Sequence, residues 1–403
     1  MLTFEQARQQ VISQISKFNR APATVNLSVW EASGYVLAQE LIADRDYPPF
    51  DRATRDGYAV RASESTAGAT LACIGEIKAG DASILPLDKR TCIQIMTGAP
   101  VPPEADAVVM IEYTRRDKDF VHFQQSATKG QNIVHASSEA AREQSLLSSG
   151  TRLGYVELGL AAQIGATQLL CAKKPRVAIL STGDEIVPID ATPGPFQIRN
   201  SNSVSLAAQV RDAGGEPVIL GNAADRIESL GDKIQQGLQE DILVLSGGVS
   251  MGKYDLVEDV LKSLGATFYF DAVAIRPGKP AVFAMCNGKP VFGLPGNPIS
   301  TMVTFELFVV PSIDLLSGAP ARPLPFLKAT LAEAMKEKPG MTHFLPARVE
   351  FDSGEARVKA LAWQGSGDTV TMAKANCFLV VGSDIQTLAP GENVNVLMRR
   401  GVS

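Results

Sequence analysis

Three glycine-rich loops, each directly after a short apolar run, carry the clearest chemistry in the chain. They are Ser181-Thr182-Gly183-Asp184-Glu185, Ser246-Gly247-Gly248-Val249-Ser250 and Leu294-Pro295-Gly296-Asn297-Pro298, preceded by Val-Ala-Ile-Leu, Ile-Leu-Val-Leu and Val-Phe-Gly-Leu. Glycine lets a backbone approach an anion without an intervening Cβ, and N–H groups at a following helix start favour negative charge. Buried strands that end in such loops are expected to grip phosphate. Asn297 reads as a helix cap and Pro298 as the first helical residue, so Gly296 to Ser300 should present a helix amino terminus. Just upstream, Arg276-Pro277-Gly278-Lys279-Pro280 places two cations on a stiff turn. Carboxylates follow the loops: Asp184 and Glu185, Asp225 before the next helix, and Asp255 after the third strand. Asp225 and Asp255 read either as helix caps or as a pair holding a Mg²⁺ ion that bridges phosphate oxygens.

These loops need a sheet to hold them. Residues 176–318 alternate strand and helix, from Val177–Ser181 through Asn202–Ala213, Pro217–Leu220, Ile227–Gln239, Ile242–Ser246, Leu256–Leu264, Thr267–Ala274, Ala281–Met285 and Val291–Leu294 to Ile299–Leu316. That order predicts an α/β domain, a largely parallel sheet wrapped by helices, with ligands at the carboxyl ends of the strands. Before it, Phe4, Ala7, Val11, Ile15 and Phe18 recur at helical spacing over 3–20, and a second helix is expected at about 28–38. From about 41 to 140 the text becomes mostly β, with Gly, Pro and Asp turns. A short helix at Val156–Ile164 and an extended Gln168–Ala172 follow, and the chain is expected to return there to its amino-terminal helices. After Ser317-Gly318-Ala319-Pro320 the runs Leu345–Phe351, Ala356–Ala362, Cys377–Val381 and Val394–Met398 predict a closing β-barrel.

Composition narrows the function. With 403 residues, 20% charged, and a formal net charge of −5, the chain lacks the clustered cations of a nucleic-acid or acidic-membrane binder. No apolar run reaches the roughly 20 residues of a membrane span, and no secretory signal is read, so a cytoplasmic protein is expected. Five cysteines without a CxxC pair suggest neither a disulfide framework nor a thiolate zinc site. His122, His135 and His343 have no ligand spacing and read as structural or surface residues.

In family order, further motifs join the loops: Pro48-Pro49-Phe50-Asp51 through Asp56-Gly57-Tyr58-Ala59, Met96-Thr97-Gly98-Ala99-Pro100, and Pro277-Gly278-Lys279-Pro280 with Gly293-Leu294-Pro295-Gly296-Asn297-Pro298. Over nearly its whole length the chain resembles the molybdopterin molybdenumtransferases, the MoeA type shared with the carboxyl-terminal part of gephyrin. The resemblance implies an elongated four-domain homodimer: 1–40 with 141–172 for dimerisation, an inserted small β domain at 41–140, a three-layer molybdopterin-binding αβ domain at 173–318, and a β-barrel at 319–403. It implies that Mg²⁺-dependent chemistry places molybdenum from molybdate on adenylylated molybdopterin and releases AMP, with a molybdopterin adenylyltransferase as delivery partner. By motif match, Asp56, Glu185, Asp225, Asp255 and Lys279 would be catalytic, with Asp225 and Asp255 the metal ligands. Thr97, Gly98, Ser181, Thr182, Gly183, Asp184, Ser246, Gly247, Gly248, Ser250, Arg276, Pro277, Gly278, Pro295, Gly296, Asn297, Pro298, Ser300, Arg348 and Ser366 would contact substrate.

The chain departs from the family pattern at Val134, His135, Ser138, Glu139, Lys253 and Pro346. At Pro346 an arginine that would touch molybdate is expected, and Arg348, two residues on and on the same strand face, is its candidate substitute. These departures leave a second class open, a divergent paralogue that binds pterin or nucleotide, or acts as a scaffold, without turnover.

Overall fold

The computed structural model describes residues 1–17, 21–81, 85–248 and 256–400. The amino-terminal helix runs over Phe4–Ser16 and begins in a capping box, with Thr3 Oγ1 accepting from the Gln6 N–H and Gln6 Oε1 accepting from the Thr3 N–H. Its Phe4, Ala7, Val11 and Ile15 are buried at the expected spacing; Phe18 lies outside the described residues.

The helix expected at 28–38 is absent. Thr24–Ser28 and Val36–Leu37 are instead strands, and both pair antiparallel with Gln168–Ala172. Those pairings, between segments more than 130 residues apart, satisfy backbone groups that local propensity alone would have turned into a helix. The same pairings tie the start of the chain to the segment after the small β domain. Within that β domain, Gly57–Val60, Thr70–Ile77, Thr91–Ile95, Ala107–Met110, Thr114–Asp117 and Phe120–Phe123 form one six-stranded sheet. The short helix occupies Tyr155–Gln163.

The central sheet has the strand order Glu216–Ala223, Arg176–Thr182, Ile242–Ser246, Lys289–Leu294, Val282–Cys286, Thr267–Phe270. The first four are parallel, as the largely parallel expectation has it, and the last two join by antiparallel pairings, so the sheet is mixed at that edge. The cause is local: Asn287 (φ 51°) and Gly288 (φ 74°) make a two-residue hairpin turn that reverses the chain between Val282–Cys286 and Lys289–Leu294. Helices cover both faces, and the core on one side continues into the barrel through Phe344 and Phe378.

The last helix of this unit spans Pro298–Leu316 with a π-turn at Phe305–Val309. Among the described residues it is the one helix long and apolar enough to cross a membrane; 83% of its apolar window is buried inside the protein, which makes it a core helix. Beyond it, Phe326–Leu331, Thr342–Asp352, Glu355–Ala360, Cys377–Val381 and Asn393–Met398 close a five-stranded barrel, because Thr342–Asp352 pairs with both Glu355–Ala360 and Cys377–Val381. Ile275–Arg276 adds to this barrel as a parallel strand beside Thr342 and His343. The cationic turn at 276–280 is thereby held between sheet and barrel.

Candidate functional site

The three strands that end in glycine loops are neighbours. Ser181, Ser246 and Leu294 stand in one register across the parallel centre of the sheet, so the loops after them emerge side by side. A Cβ on Gly247 (φ 94°) would lie 2.8 Å from the Thr182 carbonyl oxygen, and one on Gly248 (φ 65°) 2.6 Å from Thr182 Oγ1. Glycine is required at both positions twice over, for conformation and for space.

Between the loops lies a cavity of about 420 Å³ lined by Ser181, Thr182, Gly183, Glu185, Asp225, Ser246, Gly247, Gly248, Pro295, Gly296, Asn297 and Pro298. A second cavity of about 350 Å³ shares Pro280, Pro295 and Asn297 with it and adds Arg276, Pro277, Gly278, Lys279, Ser300 and Ser366. The barrel supplies Ser366 and Trp363 to this second cavity, and the Ile299 N–H donates to the Ser366 carbonyl at 2.9 Å. Arg276 and Lys279 make no ion pair among the described residues. Two uncompensated cations therefore face one cavity, next to a helix amino terminus.

Asn297 sits at the cap position, yet its side chain makes no capping hydrogen bond. Its backbone carbonyl takes the Thr301 N–H at 3.0 Å, and the residue lines both cavities. The cap expected from sequence is in this respect corrected. Asp225 likewise caps nothing: Arg226 is the cap residue of the helix Ile227–Gly237 and makes no side-chain bond to it.

Burial and like charges together set the electrostatics at the first cavity. The Asp225 carboxyl is pushed above the ordinary carboxylate range by partial burial first, then by Asp184 and Glu185. The Asp225 N–H donates to Asp184 Oδ1 at 3.2 Å, which brings the two acids together although Asp184 does not line the cavity. Among the described residues no three His, Cys, Asp or Glu side chains form a metal-binding group. The acidic pair Glu185 and Asp225 suits a hard divalent cation that completes its shell with other oxygens. Asp255, like Ser250 and Lys253, lies outside the described residues.

The residue that sequence reasoning missed is Asn202. Its Nδ2 donates to Ser246 Oγ at 2.9 Å and to the Gly296 carbonyl at 2.7 Å, clasping the second loop to the third. A carbonyl only accepts, so the amide orientation is fixed by chemistry and Oδ1 faces the other way. Both Asn202 Oδ1 and Thr182 Oγ1 are buried without a partner among the described residues, and both residues line the first cavity. Buried unpaired polar atoms at a cavity wall leave hydrogen-bonding capacity that a water, ion or ligand can use. Ser181 is bound internally, donating to Asn200 Oδ1 at 3.1 Å. The signal available in sequence was the polar run Asn200-Ser201-Asn202-Ser203 at a helix start.

Other candidate residues lie away from both cavities. Asp56 Oδ1 accepts the Thr97 N–H at 2.6 Å and the Thr97 hydroxyl at 2.7 Å, with Gly98 next in the turn. The Thr97 hydroxyl first, then its N–H, holds the Asp56 carboxyl below its ordinary range. Arg348 is exposed and pairs with Glu350 at 3.1 Å, lining neither cavity. Pro346, on the same outer face, is buried opposite Phe378 and accepts the Leu361 N–H. The departures beside the Asp56 motif form their own pairs: His135 with Asp51 at 2.9 Å and Arg52 with Glu139 at 2.6 Å.

Residues 2–165 match the MoeA N-terminal region (domain I and II), 178–315 the "Probable molybdopterin binding domain", and 328–398 the MoeA C-terminal region (domain IV). A Molybdopterin molybdenumtransferase 2 of Mycobacterium tuberculosis is 34% identical, covering 97% of this chain and 98% of its own. The Molybdopterin molybdenumtransferase of Bacillus subtilis is 31% identical, covering 97% and 93%. Among solved structures, a molybdopterin biosynthesis MoeA protein from Pyrococcus horikoshii OT3 matches with TM-score 0.82 at 26% identity over 99% of this chain and all (100%) of that one. A second Pyrococcus MoeA structure matches with TM-score 0.73 at 30% identity over 97% and 98%. The likeness thus runs along nearly the full length, through all three matched regions, and the chain belongs to the MoeA family of molybdopterin molybdenumtransferases.

Proposed function

We propose that this chain is a cytoplasmic molybdopterin molybdenumtransferase of molybdenum cofactor biosynthesis, which takes molybdenum from molybdate onto adenylylated molybdopterin and releases AMP. The observation that carries the reading is the paired cavity: one half lined by glycine loops, acids and unpartnered polar atoms, the adjoining half by free cations. A substrate with a pterin, a phosphate bridge and an oxyanion to receive needs such a division.

In this reading the glycine loops at 183, 247–248 and 296 admit the phosphate bridge close to backbone. Thr182 Oγ1 and Asn202 Oδ1 bond the polar edge of the substrate. Arg276 and Lys279, with Ser300 and Ser366, hold molybdate by charge-assisted hydrogen bonds. Glu185 and Asp225, with Asp255, would hold Mg²⁺, which when bound neutralises phosphate charge and stabilises the leaving AMP. The excess of negative charge around Asp225 supports this assignment, because a cation there relieves a repulsion the folded chain otherwise bears.

Asp56 and Thr97 reach neither cavity of their own chain, which supports a homodimer in which each β domain completes the partner's site. A molybdopterin adenylyltransferase is the proposed delivery partner. Purified protein given adenylylated molybdopterin, Mg²⁺ and molybdate should release AMP only when all are present; binding without release would overturn the catalytic reading. Mixing Asp56→Asn with Lys279→Ala chains should recover about a quarter of wild-type activity, since half of the randomly assorted dimers carry one intact shared site. No recovery would mean that each chain works alone.

A further inference from the structure

The β domain holds two thiols that the proposed reaction does not use. Cys73 and Cys92 are direct register partners on the adjacent strands Thr70–Ile77 and Thr91–Ile95. Both pack against the cluster of Tyr58, Leu71 and Phe123, so their side chains share one face of the sheet. Registered neighbours on paired strands lie about 5 Å apart at Cα, within the roughly 4.4–6.8 Å that a disulfide spans. The register shifts immediately after Cys73, before Glu76, which loosens the ladder at that point. Cys92 is fully buried, whereas Cys73 is half-buried and reachable from solvent. Burial first, then the neighbouring Cys73 thiol, push the Cys92 thiol far up, and the Arg116 guanidinium acts in the opposite sense; the Cys73 thiol itself donates to the Gly75 carbonyl at 3.5 Å. The remaining cysteines, Cys171, Cys286 and Cys377, are buried singly in three other core clusters.

We propose that Cys73 and Cys92 form a peroxide-sensitive dithiol, a redox modification site whose oxidised state is a disulfide between neighbouring strands. The Cys73 sulfur attacks one peroxide oxygen, the O–O bond breaks, and the other oxygen leaves as water, giving a sulfenic acid on Cys73. The Cys92 sulfur then attacks the Cys73 sulfur, the S–O bond breaks, and the oxygen departs as a second water with the Cys92 proton. Two thiols lose two electrons in all, and the peroxide gains them. The cross-link pins the strand that runs directly into Thr97 and so into the Asp56 contact.

The test treats the native, full-length protein with hydrogen peroxide, then unfolds it, blocks residual thiols with an alkylating agent, and maps peptides by mass. Alkylatable thiols should fall from five to three, with one linked peptide joining Cys73 to Cys92 and full reversal by dithiothreitol. Cys92→Ala should leave a sulfenic acid on Cys73 that dimedone captures, and Cys73→Ala should leave its other four thiols unreacted. The wild-type map decides the matter even where a variant fails to fold. Sulfinic acid on Cys73 without a link, a link to any other cysteine or between chains, or five intact thiols under conditions that oxidise free cysteine would each overturn the proposal.

Discussion

Replacing Gly247 by alanine tests the close approach of the first two glycine loops. The residue has φ 94°, and its new Cβ would sit 2.8 Å from the Thr182 carbonyl oxygen and 3.1 Å from Thr182 Oγ1. An L-residue in the left-handed region costs ~1–2 kcal/mol. Forcing a methyl into a packed site adds ~1–3 kcal/mol. Thr182 is only 4% exposed and ends a central strand, so its carbonyl cannot swing aside and the loop must move instead. The sum, about 2–5 kcal/mol, should appear partly as lost stability and partly as a displaced cavity wall. Gly221→Ala is the control, because Gly221 has φ 85° and nothing within 4 Å of its ideal Cβ. It isolates the conformational cost. Unfolding midpoints and kcat/KM for AMP release should therefore separate the two variants, with Gly247→Ala at least about tenfold worse in kcat/KM, a loss of ~1.4 kcal/mol. Equal stability losses in both, together with unchanged kcat/KM in Gly247→Ala, would refute the argument that these loops shape the site by contact.

Asp225→Asn should raise the unfolding free energy in the absence of divalent cation by the ~0.2–1 kcal/mol scale of exposed charges, while slowing Mg²⁺-dependent AMP release at least about tenfold. Its folded pKa is raised, so the group's contribution to stability is full below the ordinary carboxylate range and is lost as pH rises through the folded value; the gap between variant and wild type should close in acid. Thr97→Val should let the Asp56 carboxyl titrate higher in a carboxyl NMR titration, but short of its ordinary value because the backbone donor stays; the stability from this depressed group, present above the unfolded pKa, should then fade at higher pH than in wild type. Asn202→Ala leaves Ser246 Oγ and the Gly296 carbonyl without their shared donor and should cost ~1–3 kcal/mol in chemical unfolding and weaken substrate binding; unaltered affinity would make the clasp purely structural. Lys279→Ala should raise the molybdate concentration needed for half-maximal AMP release far more than Arg348→Ala, and the reverse order would move the anion site to the barrel strand.

Much of the αβ unit was legible because a buried parallel strand leaves a short, continuous apolar run that turn residues bracket. Ile242–Ser246, parallel to both its neighbours, falls on the expected residues for this reason. The segment 24–37 was not legible, since its strands exist only by pairing with residues 168–172, and no local pattern encodes a partner that far along the chain. The antiparallel end of the sheet was written in Asn287-Gly288, a hairpin dipeptide that a regular strand–helix alternation obscures.

The candidate site divides along the same line. Glycines and cations declare themselves through residue type, and the fold brings those of the αβ unit around two adjoining cavities. Asn202 could not be found that way, because an amide becomes a clasp only when a serine 44 residues ahead and a carbonyl 94 residues ahead arrive at its Nδ2. Arg348 marks the converse limit. Its position two residues beyond Pro346 does place it on the same strand face, but strand periodicity fixes a face and not what covers it. At Pro346 that face is sealed opposite Phe378, and at Arg348 it opens to solvent beside Glu350. Arg348 is paired with Glu350 and lines neither cavity of its own chain, so the comparison of Lys279→Ala with Arg348→Ala decides between the two anion positions. Among the described residues Arg276 and Lys279 make no ion pair and line the second cavity, held where the sheet and the barrel meet by the pairing of Ile275–Arg276 with Thr342 and His343.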